Sequence, residues 1–308
     1  MKTSESVDLE RTEKLLAAQN YIADRSIALS ISLAAALEKP LLIEGPAGVG
    51  KTEIAKVMSA ALSAPLIRLQ CYEGLDATTA LYEWNYQHQI LHLKMHEQSG
   101  ASIREKEESV FGERFLLKRP LLRAITSETP AVLLIDELDR ADEEFESFLL
   151  EVLSEWQITI PELGPVHATH VPYVVITSNR TRELSDAVRR RCLFLWIDFP
   201  AYRKELEIVR SKVVGVNGQL AEQICRFMEI LREQDFEKLP GVSETLDWAR
   251  ALVALHRDHL DEELVAETLG IILKERTDVD QARESLPEFL ERLGIKSKLF
   301  NEGVPNDA

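Results

Sequence analysis

Three glycines, a lysine and a threonine stand together at residues 45–52 (GPAGVGKT). This spacing matches the phosphate-loop pattern G-x-x-x-x-G-K-[ST] at every fixed position. Glycines let the backbone bend until several N–H groups converge on an anion. Lys51 can then reach the β- and γ-phosphates of a nucleotide, and the Thr52 hydroxyl can bind Mg²⁺. A chance match in a glycine-rich turn is the alternative. The residues predicted to contact the nucleotide are Gly45, Pro46, Ala47, Gly48, Val49, Gly50, Lys51, Thr52 and Glu53.

Two acids follow an apolar run further along the chain. Residues 131–135 (AVLLI) are typical of a strand in the middle of a parallel sheet, and Asp136 and Glu137 come directly after it. Open α/β sheets bind their ligands at the carboxyl ends of the strands. Asp136 is therefore suited to hold Mg²⁺, and Glu137 to orient and deprotonate an attacking water. An N-cap for the next helix is the alternative role, but the upstream phosphate loop favours the metal and base roles.

A polar amide and three arginines come next. Asn179 follows the apolar run 171–177, where its side chain could hold the attacking water or contact the γ-phosphate; a turn-forming Asn is the alternative. Arg189, Arg190 and Arg191 precede the last apolar run, at 193–199. They fit a solvated basic patch. Their place after the acid pair and the amide favours an arginine finger that reaches the nucleotide of a neighbouring subunit.

Histidines recur every fourth residue in the segment 81–97. His88, His92 and His96 would share one face of a helix, a spacing compatible with a metal site. An exposed polar face is the alternative, because no carboxylate or cysteine is placed to complete a ligand set. Trp84 and Tyr86 are interpreted as packing or partner-contact residues, since the surrounding charge is not basic enough for nucleic-acid stacking.

The elements that must position these residues follow from the hydrophobic pattern. An apolar run ends at the phosphate loop, and residues 53–62 place Ile54, Val57, Met58 and Ala61 on one helical face. Residues 65–69 predict a second strand, 142–155 an amphipathic helix, and 156–165 a hairpin. Two helices, at 8–20 and 24–37, precede the phosphate loop, and residues 1–7 are predicted to fray. Five helical stretches follow, near 202–213, 219–232, 243–256, 261–274 and 280–293.

The composition excludes several classes of protein. A formal net charge of −16 disfavours nucleic acid or an anionic membrane as the main partner. Cys71, Cys192 and Cys225 lack C-x-x-C spacing, which indicates a reducing compartment without a disulfide framework. The chain shows neither a signal-peptide pattern nor an apolar run long enough to cross a bilayer. We therefore expect a cytoplasmic protein.

Taken in this order, the motifs resemble those of AAA+ ATPases of the MoxR family over nearly the whole chain. The resemblance makes 45–52 the Walker A motif, 132–137 the Walker B motif, Asn179 sensor 1 and Arg191 the arginine finger. Residues 81–119 resemble the helix-2 insert, and 156–165 the hairpin before sensor 1. The stretch 71–86 (CYEGLDATTALYEWNY) is most similar to the CoxD-like group, which are accessory ATPases for carbon monoxide dehydrogenase maturation.

The resemblance implies an α/β P-loop fold in two domains. A five-stranded parallel sheet of order 5-1-4-3-2, between helices, would occupy residues 1–200, and an α-helical lid residues 201–308. One departure stands out. A sensor 2 motif reads G-x-S-P-R, whereas residues 241–245 read GVSET and place Thr245 where arginine is expected. Arg250 lies five residues later and off that helical face, so it is not assigned to the site.

The resemblance also implies a function. ATP and Mg²⁺ would be the cofactors, and copies of the chain would form a homo-oligomer, a hexameric ring. Hydrolysis would remodel a client metalloenzyme that needs cofactor insertion, together with a von Willebrand factor A domain partner. The alternative is a nucleotide-gated assembly scaffold with slow turnover, which the absent sensor 2 arginine would suit. A DNA-dependent motor is a third possibility, which the acidic charge disfavours.

Overall fold

The structure, a computed structural model, describes residues 9–95 and 110–295. His96, the charged linker predicted at 98–109 and the N-terminal residues 1–7 lie outside this range. The described residues group into two compact units. Unit 1 contains the chain up to Gln19, Ala23–Gly45 and Lys51–Trp196. Unit 2 contains Asn20–Ile22, Pro46–Gly50 and the chain from Ile197 onward.

Nine strands lie in unit 1. Among the described residues they are β1 (Leu41–Glu44), β2 (Leu66–Gln70), β3 (Tyr82–Trp84), β4 (Leu116–Lys118), β5 (Val132–Asp136), β6 (Gln157–Ile160), β7 (Gly164–His167), β8 (Tyr173–Ser178) and β9 (Leu193–Trp196). Five of them form a parallel sheet in the order β2-β5-β8-β1-β9. Counted among the parallel strands alone, this order is 5-1-4-3-2, and the predicted α/β P-loop fold is therefore confirmed.

The two central strands that carry the site are buried along their length. Every residue of β1 and β5 is buried, as expected for strands covered by helices on both faces. The register pairs Gln70 with Asp136 and Glu44 with Ser178. The carboxyl ends of β2, β5, β8 and β1 therefore lie side by side along one edge of the sheet, where they can assemble a site from four separate segments.

Several of the described helices of unit 1 contact this sheet. They are α1 (Leu9–Ala18), α2 (Arg25–Leu37), α3 (Lys51–Leu62), α4 (Ala77–Leu81), α5 (Tyr86–Met95), α6 (Pro120–Ile125), α7 (Glu143–Glu155) and α8 (Asp186–Arg191). Helix α3 begins at Lys51, two residues before the predicted start. It buries Ile54, Val57 and Met58, whereas Ala61 is only half-buried.

The segment between β2 and β5 differs from the sequence interpretation. The polar residues 70–79 (QCYEGLDATT) predict a loop after β2, but α4 begins at Ala77 within them. Strands β3 and β4 form a separate antiparallel pair, in which Trp84 is buried and packs edge-on against Phe111. Strands β6 and β7 form a second antiparallel pair, where the sequence predicts a hairpin.

Unit 2 is helical in its described part. Its helices are α9 (Tyr202–Lys212), α10 (Gly218–Arg232), α11 (Val242–Ala254), α12 (Glu262–Ile272), α13 (Arg276–Glu284) and α14 (Leu286–Arg292). Phe227, Trp248 and Phe289 meet in its core. The single helix predicted at 280–293 is wrong: α13 ends before Ser285 and α14 restarts with Pro287 in its first turn. Proline has no backbone N–H to continue the earlier helix.

None of the helices in the described ranges combines the length and the apolar character that crossing a bilayer requires.

Candidate nucleotide-binding site

The phosphate-loop lysine lies beneath its own loop. Gly48 and Gly50 have φ values of 75° and 95°, which glycine adopts without strain. The Lys51 side chain is held at the first turn of α3, and its Nζ donates a hydrogen bond to the Gly45 carbonyl oxygen at 2.7 Å. Lys51 is only 6 % exposed. The lysine therefore spans the base of the loop that would surround a phosphate.

Burial changes the acidity of this lysine. It lowers the pKa of the Lys51 ammonium to about 8, because desolvation disfavours the charged form. The carboxylates of Asp139, Asp136 and Glu137 act in the opposite direction. A bound phosphate would add negative charge beside Nζ and favour the ammonium further.

Asp136 shares one carboxylate oxygen with two hydroxyl groups. Its Oδ1 accepts hydrogen bonds from Thr52 Oγ1 at 3.0 Å and from Thr177 Oγ1 at 2.6 Å. A carboxylate beside a hydroxyl fits Mg²⁺, which prefers oxygen ligands and completes its shell with phosphates and water. In the described ranges, no three His, Cys, Asp or Glu side chains gather as a protein-only metal cage. Thr52 and Asp136 together therefore suit Mg²⁺ that arrives with a nucleotide.

Glu137 is held by a left-handed backbone and by three side chains. Its φ of 56° is uncommon for a residue with a Cβ, and such strain clusters at functional sites. Asn179 Nδ2 donates to its Oε1 at 3.3 Å. Gln70 Nε2 and Arg140 Nη1 donate to its Oε2, at 3.1 and 3.2 Å. The structure thus brings the predicted base and the predicted amide together, and it adds Gln70 from the edge strand β2.

Asp139 fixes the loop that carries Asn179, a role that the sequence analysis missed. This buried carboxylate accepts the Asn179 backbone N–H at 3.2 Å, the Thr181 N–H at 2.9 Å and the Thr181 hydroxyl at 2.7 Å. The only signal in the sequence was an acid two residues after Glu137. Its partners lie about forty residues away in the chain, so the pattern alone could not identify them.

The three arginines of α8 have different surroundings. Arg189 Nη1 donates to Glu44 Oε1 at 2.9 Å, at the end of β1. Arg190 is exposed. Arg191 is also exposed, and its Nε donates to Ser154 Oγ at 2.6 Å, near the end of α7. The hydrogen bonds of Arg191 therefore go to α7 and α8 rather than to Glu137 of its own chain.

The histidine face has an aromatic partner instead of metal ligands. The rings of His88 and His92 both pack edge-on against Phe115, at 5.0 and 5.4 Å between centroids. The guanidinium of Arg114 lies against Nε2 of His92, which places a cation at that ring nitrogen. Tyr86 is exposed at the start of α5. His88 is exposed, as the polar-face interpretation predicts, while both described histidines also contact Phe115; His96, the third residue of the predicted face, lies outside the described range.

Thr245 belongs to a buried ion-pair cluster in unit 2. Its hydroxyl donates to Glu205 Oε1 at 2.6 Å, and Arg232 makes a two-pronged ion pair with both Glu205 oxygens at 2.6 and 2.7 Å. Arg250 is exposed and pairs with Asp247 on its own helix. The position where a sensor 2 arginine is expected therefore serves the core of unit 2.

The loop residues Pro46–Gly50 pack against the start of α11. Gly48 O accepts the backbone N–H groups of Val242 and Ser243, at 2.9 and 3.3 Å. A Cβ at Gly241 would lie 2.7 Å from the backbone of Gly48, so this approach needs glycine at both positions. Beside Gly48 is a cavity of about 370 Å³, which lies within the size range of small-molecule pockets. It is lined in part by Pro46, Ala47, Phe199, Leu239 and Ile272.

Comparisons with known proteins agree with this geometry. The AAA domain family, in its dynein-related subfamily, matches residues 40–192. A relative from Staphylococcus haemolyticus, itself uncharacterised, is 27 % identical over 225 residues, which are 71 % of this chain and 77 % of that protein. A ClpA homolog from Fuscovulum blasticum is 26 % identical over 325 residues, covering 98 % of this chain and 36 % of its own length.

Solved structures show the same fold. A RuvB variant from Thermotoga maritima superposes with a TM-score of 0.50 at 16 % identity, covering 92 % of this chain and 86 % of that one. At this identity, the likeness bears on the fold alone. Residues 40–192, which carry the phosphate loop, the acid pair and four strands of the sheet, are similar to the AAA domain family in its dynein-related subfamily, and the chain has the α/β P-loop fold of AAA+ proteins.

Proposed function

We propose that this protein is an AAA+ ATPase, which binds ATP with Mg²⁺ at its phosphate loop and hydrolyses the γ-phosphate. One observation carries the proposal. Thr52 Oγ1 lies 3.0 Å from Asp136 Oδ1 and Asn179 Nδ2 lies 3.3 Å from Glu137 Oε1, although these side chains come from two strand ends and a helix. With Lys51 beneath the same loop, the groups needed for phosphoryl transfer to water converge at one edge of the sheet.

The loop and Lys51 would bind the triphosphate. Backbone N–H groups of residues 45–52 would surround the β-phosphate, and the Lys51 ammonium would contact the β- and γ-phosphate oxygens. Thr52 and Asp136 would hold Mg²⁺, which supplies positive charge at the phosphate oxygens. The apolar cavity beside Pro46 and Ala47 would accept the base.

Glu137 would act as the general base. Its carboxylate takes a proton from the attacking water as the water oxygen bonds to the γ-phosphorus. The bond from that phosphorus to the β–γ bridging oxygen breaks at the same time, and ADP leaves with the electron pair. Asn179 and Gln70 each donate to a different oxygen of Glu137, and they thereby orient the carboxylate for this transfer.

The arginine finger is proposed to act between copies of the chain. AAA+ proteins commonly form rings in which one subunit completes the nucleotide site of the next. Arg191 is the proposed finger, since it is exposed on α8 and its own-chain hydrogen bonds lie away from Glu137. An arginine supplied in this way is worth about 10³ to 10⁵ in rate.

The finer proposal is a MoxR-type remodeller. The order of the motifs, the segment 81–119 and the hairpin before β8 support it. Hydrolysis in a hexameric ring would change the conformation of a client metalloenzyme during cofactor maturation, together with a von Willebrand factor A domain partner. The net charge of −16 speaks against a motor on DNA, because neutralising phosphates requires a basic surface.

One observation favours a second candidate, a nucleotide-gated scaffold with slow turnover. Thr245 and its neighbours Glu205 and Arg232 form a satisfied buried cluster, so the usual lid arginine is replaced by a structural group. A site without that arginine stabilises the γ-phosphate less in the transition state. Slow hydrolysis with nucleotide-dependent assembly is the behaviour expected of such a protein.

The Glu137→Gln variant tests whether the site hydrolyses ATP. This variant should bind ATP as tightly as the parent and release phosphate at least 10²-fold more slowly, because the amide cannot accept the proton. Glu144→Gln is the matched control: it makes the same chemical change at an exposed position on α7 and should hydrolyse ATP at the parental rate. Parental turnover in the Glu137→Gln variant would refute the ATPase proposal.

A comparison of the parent with Glu137→Gln identifies the client and separates the two candidate functions. A site that binds ATP without hydrolysing it should retain its bound client, so the Glu137→Gln protein serves as bait for a copurifying metalloenzyme. A remodeller requires that the parent, and not Glu137→Gln, raises the activity of that metalloenzyme. A scaffold requires that both proteins raise it equally.

A further inference from the structure

We propose that Arg68 competes with Mg²⁺ for Asp136. Its guanidinium donates to Oδ2 of the carboxylate whose Oδ1 lies beside Thr52, so Arg68 and Mg²⁺ are two cations that share one carboxylate. Binding of magnesium with a nucleotide must therefore weaken the Arg68 contact. The inference rests on the proposed function, since it concerns the same site.

Arg68 reaches the acid pair from the edge of the sheet. It lies on β2, the edge strand that pairs with β5, two residues before Gln70, which is in register with Asp136. Its Nη2 donates to Asp136 Oδ2 at 2.6 Å and also contacts Gln70 Oε1. The Arg68 side chain is 52 % exposed and the Asp136 side chain 3 % exposed. A long side chain from the surface thus meets a buried carboxylate.

The two oxygens of Asp136 have different kinds of partner. Oδ1 accepts from the neutral hydroxyls of Thr52 and Thr177, whereas Oδ2 faces the charged guanidinium of Arg68. A buried carboxylate is costly without a partner charge. The Arg68 guanidinium supplies that charge at Oδ2, and Mg²⁺ would supply it in the complex with nucleotide.

The neighbouring cations have other partners. Lys51 Nζ donates to the Gly45 carbonyl, and Arg140 donates to Glu137 rather than to Asp136. Arg68 makes a direct, charge-assisted hydrogen bond to the metal-binding carboxylate. Because half of its side chain is in water, the guanidinium can move to solvent, and the competition is reversible.

Removal of Arg68 should therefore tighten magnesium binding. Charge-assisted hydrogen bonds exceed neutral ones in strength, and half exposure reduces that strength. We expect Arg68→Ala to lower the half-saturating Mg²⁺ concentration about fivefold to tenfold. Arg68→Lys keeps the charge without the fork geometry, so its half-saturating concentration should lie between those of the parent and Arg68→Ala.

The experiment is a Mg²⁺ titration of the purified full chain with a fluorescent ADP analogue, which is not hydrolysed. Nucleotide affinity is measured at each Mg²⁺ concentration for the parent, Arg68→Ala, Arg68→Lys and Arg140→Ala. Arg140→Ala is the matched control, because it removes one positive charge beside the acid pair without a bond to Asp136. It should change the half-saturating Mg²⁺ concentration less than twofold.

The possible outcomes test the Arg68 inference and the proposed function separately. A gain of magnesium affinity in Arg68→Ala that is smaller in Arg68→Lys and absent from Arg140→Ala supports the inference, and a misfolded protein cannot produce it. An unchanged or weaker Mg²⁺ dependence in Arg68→Ala overturns the inference, as does an equal gain in Arg140→Ala, which would show a field effect alone. A parent that binds no nucleotide at all would refute the proposed function and this inference together. If the parent binds nucleotide and Arg68→Ala has the same Mg²⁺ dependence as the parent, the inference alone is refuted.

Discussion

The affinity of this protein for nucleotide should weaken as the pH rises from 7 to 9. The cause is Lys51, whose ammonium is buried beneath the phosphate loop and has a pKa of about 8. A bound phosphate adds negative charge beside Nζ and raises the pKa of Lys51 in the complex. Binding above pH 8 therefore takes up a proton, and affinity must fall as the free protein loses that proton.

The size of the effect follows from the same pKa. With a pKa of about 8, about nine-tenths of the free protein carries the ammonium at pH 7 and about one-tenth at pH 9. If the nucleotide binds the charged form, its dissociation constant should rise about tenfold between these values, or about 1.4 kcal/mol. A lysine in water, which titrates above pH 10, would produce almost no change in this window.

The assay is equilibrium binding of a fluorescent ADP analogue at fixed ionic strength, in half-unit steps of pH. Lys51→Ala should bind weakly and show no lysine-dependent slope, and so it reveals any contribution from the ligand's own ionisation. Lys56→Ala alters an exposed lysine on the same helix and should keep the parental slope. A dissociation constant of the parent that does not change between pH 7 and pH 9 would refute the reasoning about burial.

Three further results are expected. Asn179→Ala should reduce the turnover number about tenfold to a hundredfold with nucleotide affinity within twofold of the parent, since the amide orients Glu137 rather than the nucleotide; steady-state phosphate release and analogue binding check both numbers. The Arg191→Ala variant by itself should have no turnover. Mixing it with Glu137→Gln should restore part of the activity, because some sites in a mixed ring combine an intact base with an intact finger. Mixtures as inactive as the separate variants would contradict a finger in trans. Asp139→Asn should lower the free energy of unfolding by about 1 to 3 kcal/mol, since an amide cannot accept three hydrogen bonds from the Asn179 loop; chemical denaturation measures this change.

Local motifs were predictable from the sequence because their chemistry lies in adjacent residues. The phosphate loop is one such motif, and the acid pair that follows a buried strand is another. The resemblance supplied the strand order, which hydrophobic runs alone leave open. The break between α13 and α14 was also visible in principle, since Pro287 interrupts the helical pattern, but the apolar spacing on both sides concealed it.

The remaining parts of the site depend on sheet register, which a single sequence does not display. Gln70 and Arg68 belong to an ordinary strand pattern, and only the pairing of β2 with β5 brings them to the acid pair. Thr177 resembles any β-branched strand residue until β8 is placed beside β5. Asp139 holds the loop that carries Asn179, about forty residues away, through contacts that the sequence does not display. Long-range contacts, rather than residue types, decide these roles.

Helix α7 has a mechanical consequence for unit 1. It follows the turn after the acid pair, and its 13 residues span about 20 Å. Near its start, Glu146 accepts the backbone N–H of Ser185, which begins α8, and near its far end Ser154 binds Arg191. Helix α8, which carries the three arginines, is thus hydrogen-bonded at both of its ends to α7, and α7 begins shortly after Asp136 and Glu137 in the chain. Any tilt of α7 must therefore move α8 and the exposed Arg191 with it.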